Sequence, residues 1–250
     1  MSNINDKISI ATTSLYNLDS ESDKVRAEIS LETVKTARQY GYEINIVDGG
    51  SPKELVAQYV TLGAKVYDEA IKGMGPGRRQ VIQISLESSK DVILWMEIEK
   101  VGIIKYLSEL AKPIILGEAD MVIPKRKSLK SYPKTQQYAE PLGNLLWKTL
   151  TGEELDVWFG PKLFNQETSQ YFLNYSGEYG DKWDSIMMPV MDALYGGKNV
   201  ISYVIDYEHP KKQTKVEEGN LELDLKRIEQ LSTLANPLIK HWKKINCPRY

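Results

Sequence analysis

The run Asp91-Val92-Ile93-Leu94-Trp95-Met96-Glu97-Ile98-Glu99-Lys100 passes from unbroken apolar residues to two carboxylates in alternation. A short apolar stretch bounded by charge reads as a strand buried on both faces, the kind that a helix-covered parallel sheet contains. Its acidic end is a place where a hard divalent cation could meet a phosphate, because carboxylate oxygens suit such ions. Two solvated glutamates at the frayed end of a strand account for the same residues.

Outward from this strand the chain alternates strands and helices. Residues 7–12 form a β-prone start, and a helix follows over about 22–40, with Val25, Ile29 and Ala37 at multiples of four and Gly41 ending it. A strand over 42–47 leads into Asp48-Gly49-Gly50-Ser51-Pro52, where glycines permit a tight turn and Pro52 suits the first position of the next helix. A third strand is expected at 64–67. After a glycine-rich basic turn over 73–79 come a helix over about 78–88, the opening strand at 91–96, a helix over about 101–111 and a strand near 119–123. This order predicts an α/β fold with a mainly parallel sheet and helices on both faces, in which ligands bind beyond the carboxyl ends of the strands. Asp48, Glu97 and Glu99 fall at such ends.

The second half is less regular. Residues 125–131 read as a basic loop, either solvated or inclined toward phosphate. A helix is expected over 135–150, a break at 156–162, and a late strand over 200–207 that ends at Glu208-His209-Pro210. A C-terminal helical extension carries Leu221, Leu225, Ile228, Leu231, Leu234, Leu238 and Trp242 at spacings of three and four. Its stripe is read as core packing, with a homodimer face as the second reading, and Pro237 is expected to kink it.

With 250 residues, 42% of them hydrophobic, the chain is long enough for one large core. The formal net charge is -2 with both signs mixed, so no global field recruits nucleic acid or an anionic membrane, and an anionic ligand has to be held locally. The single cysteine, Cys247, excludes an intramolecular disulfide framework and a cysteine zinc site. Without an apolar leader or a run of about 18 apolar residues, a cytoplasmic protein with no integral membrane segment is expected.

The strand ending in Ala11-Thr12-Thr13-Ser14, the Val47-Asp48-Gly49-Gly50-Ser51 turn, the Gly75-Pro76-Gly77-Arg78-Arg79 segment and the acidic pair resemble, in this order, a GT-A (Rossmann-like) glycosyltransferase of the family 2 kind. Asp120-Met121-Val122-Ile123-Pro124-Lys125-Arg126 and Gly160-Pro161-Lys162 are similar to later stretches of such enzymes, so the resemblance covers about residues 7–215. It implies a single domain: a nucleotide-binding half over about 1–124, an acceptor half over about 125–215 and the C-terminal helix over about 216–250. It also implies a metal-dependent hexosyltransferase that takes a sugar from a GDP- or UDP-sugar to the hydroxyl of an unknown acceptor.

Site roles follow from the same resemblance. The family's acidic pair is normally Asp-x-Asp, and here it is Glu97-x-Glu99, each carboxylate one methylene further out. Glu99, Glu97 and His209 are the implied ligands of Mn²⁺ or Mg²⁺, which accept hard oxygen donors. Asp48, Thr12 and Ser14 would line the nucleotide cleft, although a turn aspartate also satisfies its own backbone. Gly75, Arg78 and Arg79 would approach phosphate or donor sugar, Glu97 the ribose or sugar, and Lys211 and Gln213 the diphosphate. Trp158, Phe159 and Gly160 are either an acceptor wall or buried packing. The reading leans toward inversion, with Asp181 or Asp184 as the base, although Asp184 also suits the start of a helix. The rivals are a non-catalytic nucleotide-sugar binder on a degenerate GT-A fold and a sugar-1-phosphate nucleotidyltransferase. Thr12-Thr13-Ser14-Leu15-Tyr16 stands where the latter would need a glycine-rich arginine loop.

Overall fold

The computed structural model describes residues 4–246, so Cys247 lies outside the described residues. The first half alternates: β1 (Ile8–Ser14), α1 (Glu21–Gln39), β2 (Glu43–Asp48), α2 (Lys53–Thr61), β3 (Lys65–Asp68), α3 (Met74–Glu87) and β4 (Val92–Trp95). A 3-10 turn at Val101–Tyr106 runs into α4 (Leu107–Ile115) and then β5 (Met121–Arg126). The second half contributes α5 (Lys134–Thr151), β6 (Lys162–Asn165), α6 (Gln166–Leu173), α7 (Asp184–Tyr195), β7 (Val200–Ile205), α8 (Lys211–Glu217) and α9 (Leu221–Asn246). One sheet runs β3-β2-β1-β4-β6-β5-β7, and β6 is antiparallel to both of its neighbours while the other pairs are parallel.

The two-residue period of β4 explains how the sheet is covered. Val92 and Leu94 face a core shared with Ile8, Ile10, Ile44 and Ile46 of the neighbouring strands and with Val34, Ala37, Leu107 and Leu110 of α1 and α4. Ile93 and Trp95 face the opposite core, which Val81 of α3, Trp147 of α5, Met188 of α7 and Leu238 of α9 complete. A strand buried on both sides needs apolar residues at every position, which is why 92–96 shows no alternation.

Several expectations change. The run at 125–131 begins as strand, with Lys125 and Arg126 in register with Val204 and Ile205 of β7, and Arg126 is buried. Helix α3 starts at Met74, so Gly75, Arg78 and Arg79 occupy its first two turns and not a free loop. The helix α9 passes through Pro237; its later residues Leu234 and Leu238 are buried, whereas Leu221, Leu225 and Ile228 stay exposed. Core packing therefore accounts for only the second half of that stripe. Among the described residues no helix is long and apolar enough to cross a membrane.

One close approach in the second core is open to test. Gly143 of α5 lies against the indole of the buried Trp158, and a Cβ there would run into the ring. Trp158 is thus core and not an exposed wall. Gly143→Ala is expected to lower the unfolding free energy by about 1–3 kcal/mol through overpacking. That loss outweighs the roughly 1 kcal/mol by which alanine favours a helix interior. Urea unfolding of the variant checks this, and a stabilised variant would show that the indole moves aside freely.

Candidate functional site

The carboxyl ends of β1, β2 and β4 lie side by side because β1 pairs in parallel with both of the others, and Ser14 is in register with Asp48. Asp48 leaves β2 directly into a turn that uses its whole carboxylate. Its Oδ1 accepts the Gly50 and Ser51 backbone N–H groups at 2.9 and 2.8 Å, and its Oδ2 accepts the Ser14 and Ser51 hydroxyls at 2.6 Å each. The aspartate therefore satisfies its own turn, and Ser14 helps to hold it there. Thr12 is buried on β1, and its hydroxyl has no hydrogen-bond partner.

Beyond β4 the two glutamates meet different partners. Oε1 of Glu99 accepts the Tyr16 hydroxyl at 2.8 Å and forms an ion pair with Nη2 of Arg26 on α1 at 2.7 Å. Burial pushes the Glu99 carboxyl up, but Arg26 and Tyr16 outweigh it and hold the group below the usual carboxylate range. Glu97 has Oε2 buried without any hydrogen-bond partner. Gly160, at φ +103°, lets the chain pass against that carboxylate, with which a Cβ would collide. Arg78 and Lys162 are buried within electrostatic reach of Glu97. Burial lowers Lys162 to about 8 although Glu97 acts in the opposite sense, and its ammonium donates to the Val157 and Gly160 carbonyls at 3.2 and 2.7 Å. Lys100 adds a further cation, 5.3 Å from the centre of the Phe159 ring and 5.5 Å from that of Tyr132.

His209 is buried just after β7. Its Nδ1 is 2.8 Å from the Thr214 hydroxyl, which gives its one hydrogen to the Ser131 carbonyl at 2.7 Å. The hydroxyl can then only accept from Nδ1–H, which leaves the imidazole lone pair on Nε2. Nε2 is 3.9 Å from Glu217 Oε2, too far for a hydrogen bond, while Glu217 Oε1 accepts the Gln213 amide at 2.8 Å. Lys211 is exposed at the start of α8.

In kind, these donors fit Mn²⁺ or Mg²⁺: Glu97 offers an oxygen without a partner, and His209 a lone pair. They are not drawn together as a finished site. Among the described residues no group of three His, Cys, Asp or Glu is placed to hold an ion, so Glu97, Glu99 and His209 are not assembled as the sequence implied. Glu99 is tied to Arg26 and Tyr16, and His209 lies beside Glu217.

The remaining expected residues form a second cluster. Arg79 makes a two-pronged pair with Asp181 at 2.7 and 2.6 Å, and Gly75 donates its N–H to the Asp181 carbonyl at 2.9 Å. Gly75 is required because a Cβ would strike the Asp181 carboxylate, and Asp181 itself sits at φ 56°. Arg78 donates to the Lys182 carbonyl and, at 2.8 Å, to Ser185, with Trp95 under its guanidinium at 4.9 Å. Burial lowers Arg78 to about 10. Asp184 is buried at the start of α7, where it accepts the Tyr175 hydroxyl at 2.7 Å and the Lys182 and Asp181 N–H groups at 2.7 and 3.2 Å. Both carboxylates offered as a base thus have partners inside their own loop or on α3. The residues that sequence reasoning did not place here are Tyr16, Arg26 and Glu217, and no local motif marks them. Cavities of about 590 and 560 Å³ lie elsewhere, and neither is lined by Glu97, Glu99 or His209.

No family model matches the chain, and a search of curated proteins finds no match. Solved structures do match in fold. Glucosyl-3-phosphoglycerate synthase of Mycobacterium tuberculosis aligns with a TM-score of 0.61 at 15% identity, over 96% of this chain and 80% of the other. Its complex with Mn²⁺, UDP-glucose and phosphoglyceric acid gives 0.62 at 14% identity, over 96% and 79%. A further mycobacterial protein gives 0.62 at 16% identity, over 92% and 74%. Other structures of the synthase hold UDP with Mn²⁺ or Mg²⁺. The chain therefore has the GT-A fold.

Proposed function

We propose that the chain transfers a sugar of the hexose class from a nucleoside-diphosphate sugar to an acceptor hydroxyl, with UDP as the carrier. The observation that carries this reading is the meeting of Glu97 and Glu99 with Arg26, Arg78, Lys100 and Lys162 at the carboxyl end of β4, where a parallel sheet binds its ligand. The solved neighbours hold UDP or UDP-glucose, which supports UDP over GDP.

A departing diphosphate gains negative charge in the transition state. Cations fixed in a water-poor setting stabilise that charge without having to reorganise. Lys100, Lys162 and Arg78 supply it here, with Arg79 keeping the start of α3 in place through Asp181. Lys211 and Gln213 would close over the diphosphate from α8, and the turn built by Asp48, Thr12 and Ser14 would receive the nucleotide. A divalent cation would supply further positive charge toward the leaving group once Glu97, Glu99 and His209, which are not assembled around one point here, were drawn together on it. Since Asp181 and Asp184 are bound within their own cluster, the inverting course that rested on them is not carried into the proposal.

The pairing of those carboxylates also favours a second reading, a nucleotide-sugar binder without transfer. Calorimetric titration of UDP and GDP with and without Mn²⁺, into wild type and Glu99→Ala, tests the donor site. UDP binding that needs both the ion and Glu99 is expected, and slow release of glucose from UDP-glucose would distinguish enzyme from binder. No binding of either nucleotide under any condition would sink the glycosyltransferase reading and leave only the fold.

A further inference from the structure

The sheet ends differently at its two edges. Strand β3, at one edge, spans only Lys65–Asp68 and begins and ends on a charge, which discourages a further strand from joining it. Strand β7, at the other, reads Val200-Ile201-Ser202-Tyr203-Val204-Ile205, with no charge, no proline and, among the described residues, β5 as its one neighbour. Its register fixes which backbone groups are left open. The Asn199 carbonyl accepts the Met121 N–H at 3.2 Å and the Ile205 carbonyl accepts the Lys127 N–H at 2.9 Å, so the odd-numbered residues direct their backbone groups to β5. The even-numbered ones direct theirs outward, and the Asp206 carbonyl, next in that series, is taken by the Tyr106 hydroxyl at 2.8 Å. Val200, Ser202 and Val204 therefore form the open edge, and Val204 is 58% exposed. Sheets ordinarily blunt such an edge or cover it.

We infer that β7 is an interface between two copies of this chain, joined strand to strand about a two-fold axis through Ser202. The strand is complementary to itself in that arrangement. Antiparallel pairing centred on Ser202 sets Val200 opposite Val204 of the second copy and Ile201 opposite Tyr203 of the second copy, apolar and aromatic pairs of the kind that stabilise a sheet. The outward N–H and C=O groups of Val200, Ser202 and Val204 meet those of the same three residues in reverse order, so each finds a backbone partner. The register also brings Lys198, just before the strand, opposite Asp206, just after it, and the symmetry repeats this pair at the other end. Moving the axis to Val200 or Val204 keeps the backbone match and loses both charge pairs, so the charges select one register.

Sedimentation equilibrium of the full chain across the micromolar range measures the association, and wild type is expected to reach twice its 28.5 kDa. Val204→Lys sets an ammonium against Val200 of the second copy, and Ser202→Pro removes an outward N–H without touching a bond to β5. Each should weaken the dimer at least about tenfold. Asp206→Lys leaves the ion pair of Lys198 with Glu167 in place and should weaken the dimer about three- to tenfold, because like charges then meet at both ends. Adding Lys198→Asp should restore it to within about twofold of wild type. Circular dichroism establishes that each variant is folded, and Val204→Lys, at an exposed position, carries the test should the proline variant fail to fold. Hydrogen exchange gives a second readout: the Val200, Ser202 and Val204 amides should be protected in concentrated wild type, and should exchange freely on dilution or in Val204→Lys. A wild type that stays monomeric throughout overturns the inference. So does a dimer that Val204→Lys and the charge reversal leave intact, since the contact then lies on another surface, such as the exposed start of α9.

Discussion

Arg126→Met is expected to lower the unfolding free energy by about 3–5 kcal/mol, the range seen when one partner of a buried ion cluster is removed. The guanidinium is almost wholly enclosed. It pairs with Asp156 through Nε and Nη2, both at 2.8 Å, and with Glu140 through Nη1 at 2.5 Å. Burial alone would lower its pKa, but Glu140, Tyr132 and Asp156 outweigh this and hold it well above its ordinary value. The centres of the Tyr132 and Phe159 rings lie 4.8 and 4.7 Å from its guanidinium carbon. Methionine keeps part of this packing and none of the charge, so the main effect is two stranded carboxylates. Gln136 and Asn144 still donate to them at 2.8 and 2.7 Å, yet neither donor carries a compensating charge. Denaturant unfolding measures the loss. Adding Glu140→Gln and Asp156→Asn to Arg126→Met should recover a large part of it, because neutral amides need no counter-charge. A single variant within about 0.5 kcal/mol of wild type, the size of an ordinary surface change, would show that the cluster is solvated.

Arg126 also shows where the sequence stops being informative. Three basic residues in a row, Lys125 to Lys127, look like a solvated loop, and the partners that bury the middle one lie 30 and 14 residues further on. Strand β6 was missed for a similar reason. Lys162-Leu163-Phe164-Asn165 is too short to show a period, and its place between β4 and β5 arises only from antiparallel pairing with both. The first half was legible because β2 and β4 are mainly apolar runs, the one closed by the turn from Asp48 to Ser51 and the other by Glu97, a local pattern. The acidic pair was legible as residues and not as chemistry: nothing near Glu99 in the sequence points to Arg26 on α1. Asp48 is the converse case, since the donors that occupy its carboxylate, apart from Ser14, lie within three residues of it.

Acid should weaken the fold through His209 with a predictable slope. Its pKa is pushed from 6.5 to about 2, first by burial and then by Lys100, Arg227, Arg126 and Arg26. The Tyr132 ring lies 4.4 Å from the imidazole, and Thr214 on α8 takes its Nδ1–H. Glu217, also on α8, is the nearest opposite charge at 3.9 Å, and it does not offset four cations and the loss of water. Above pH 6.5 the imidazole is neutral in both states and adds no pH dependence. Below it the unfolded chain binds a proton that the folded one refuses, so stability falls by about 1.4 kcal/mol for each pH unit. Carboxylates held low by pairing, among them Glu99 and Asp156, lose stability in the same direction, so the histidine has to be read as a difference. His209→Asn serves as the reference, because its amide can donate to Thr214 and cannot titrate. Urea unfolding of both proteins should show the wild-type advantage shrinking by about 2–3 kcal/mol between pH 6.5 and roughly 4.5, and staying level above 6.5. Two parallel curves across that window would mean that His209 takes up its proton in the folded protein, and that the cations around it are screened by water.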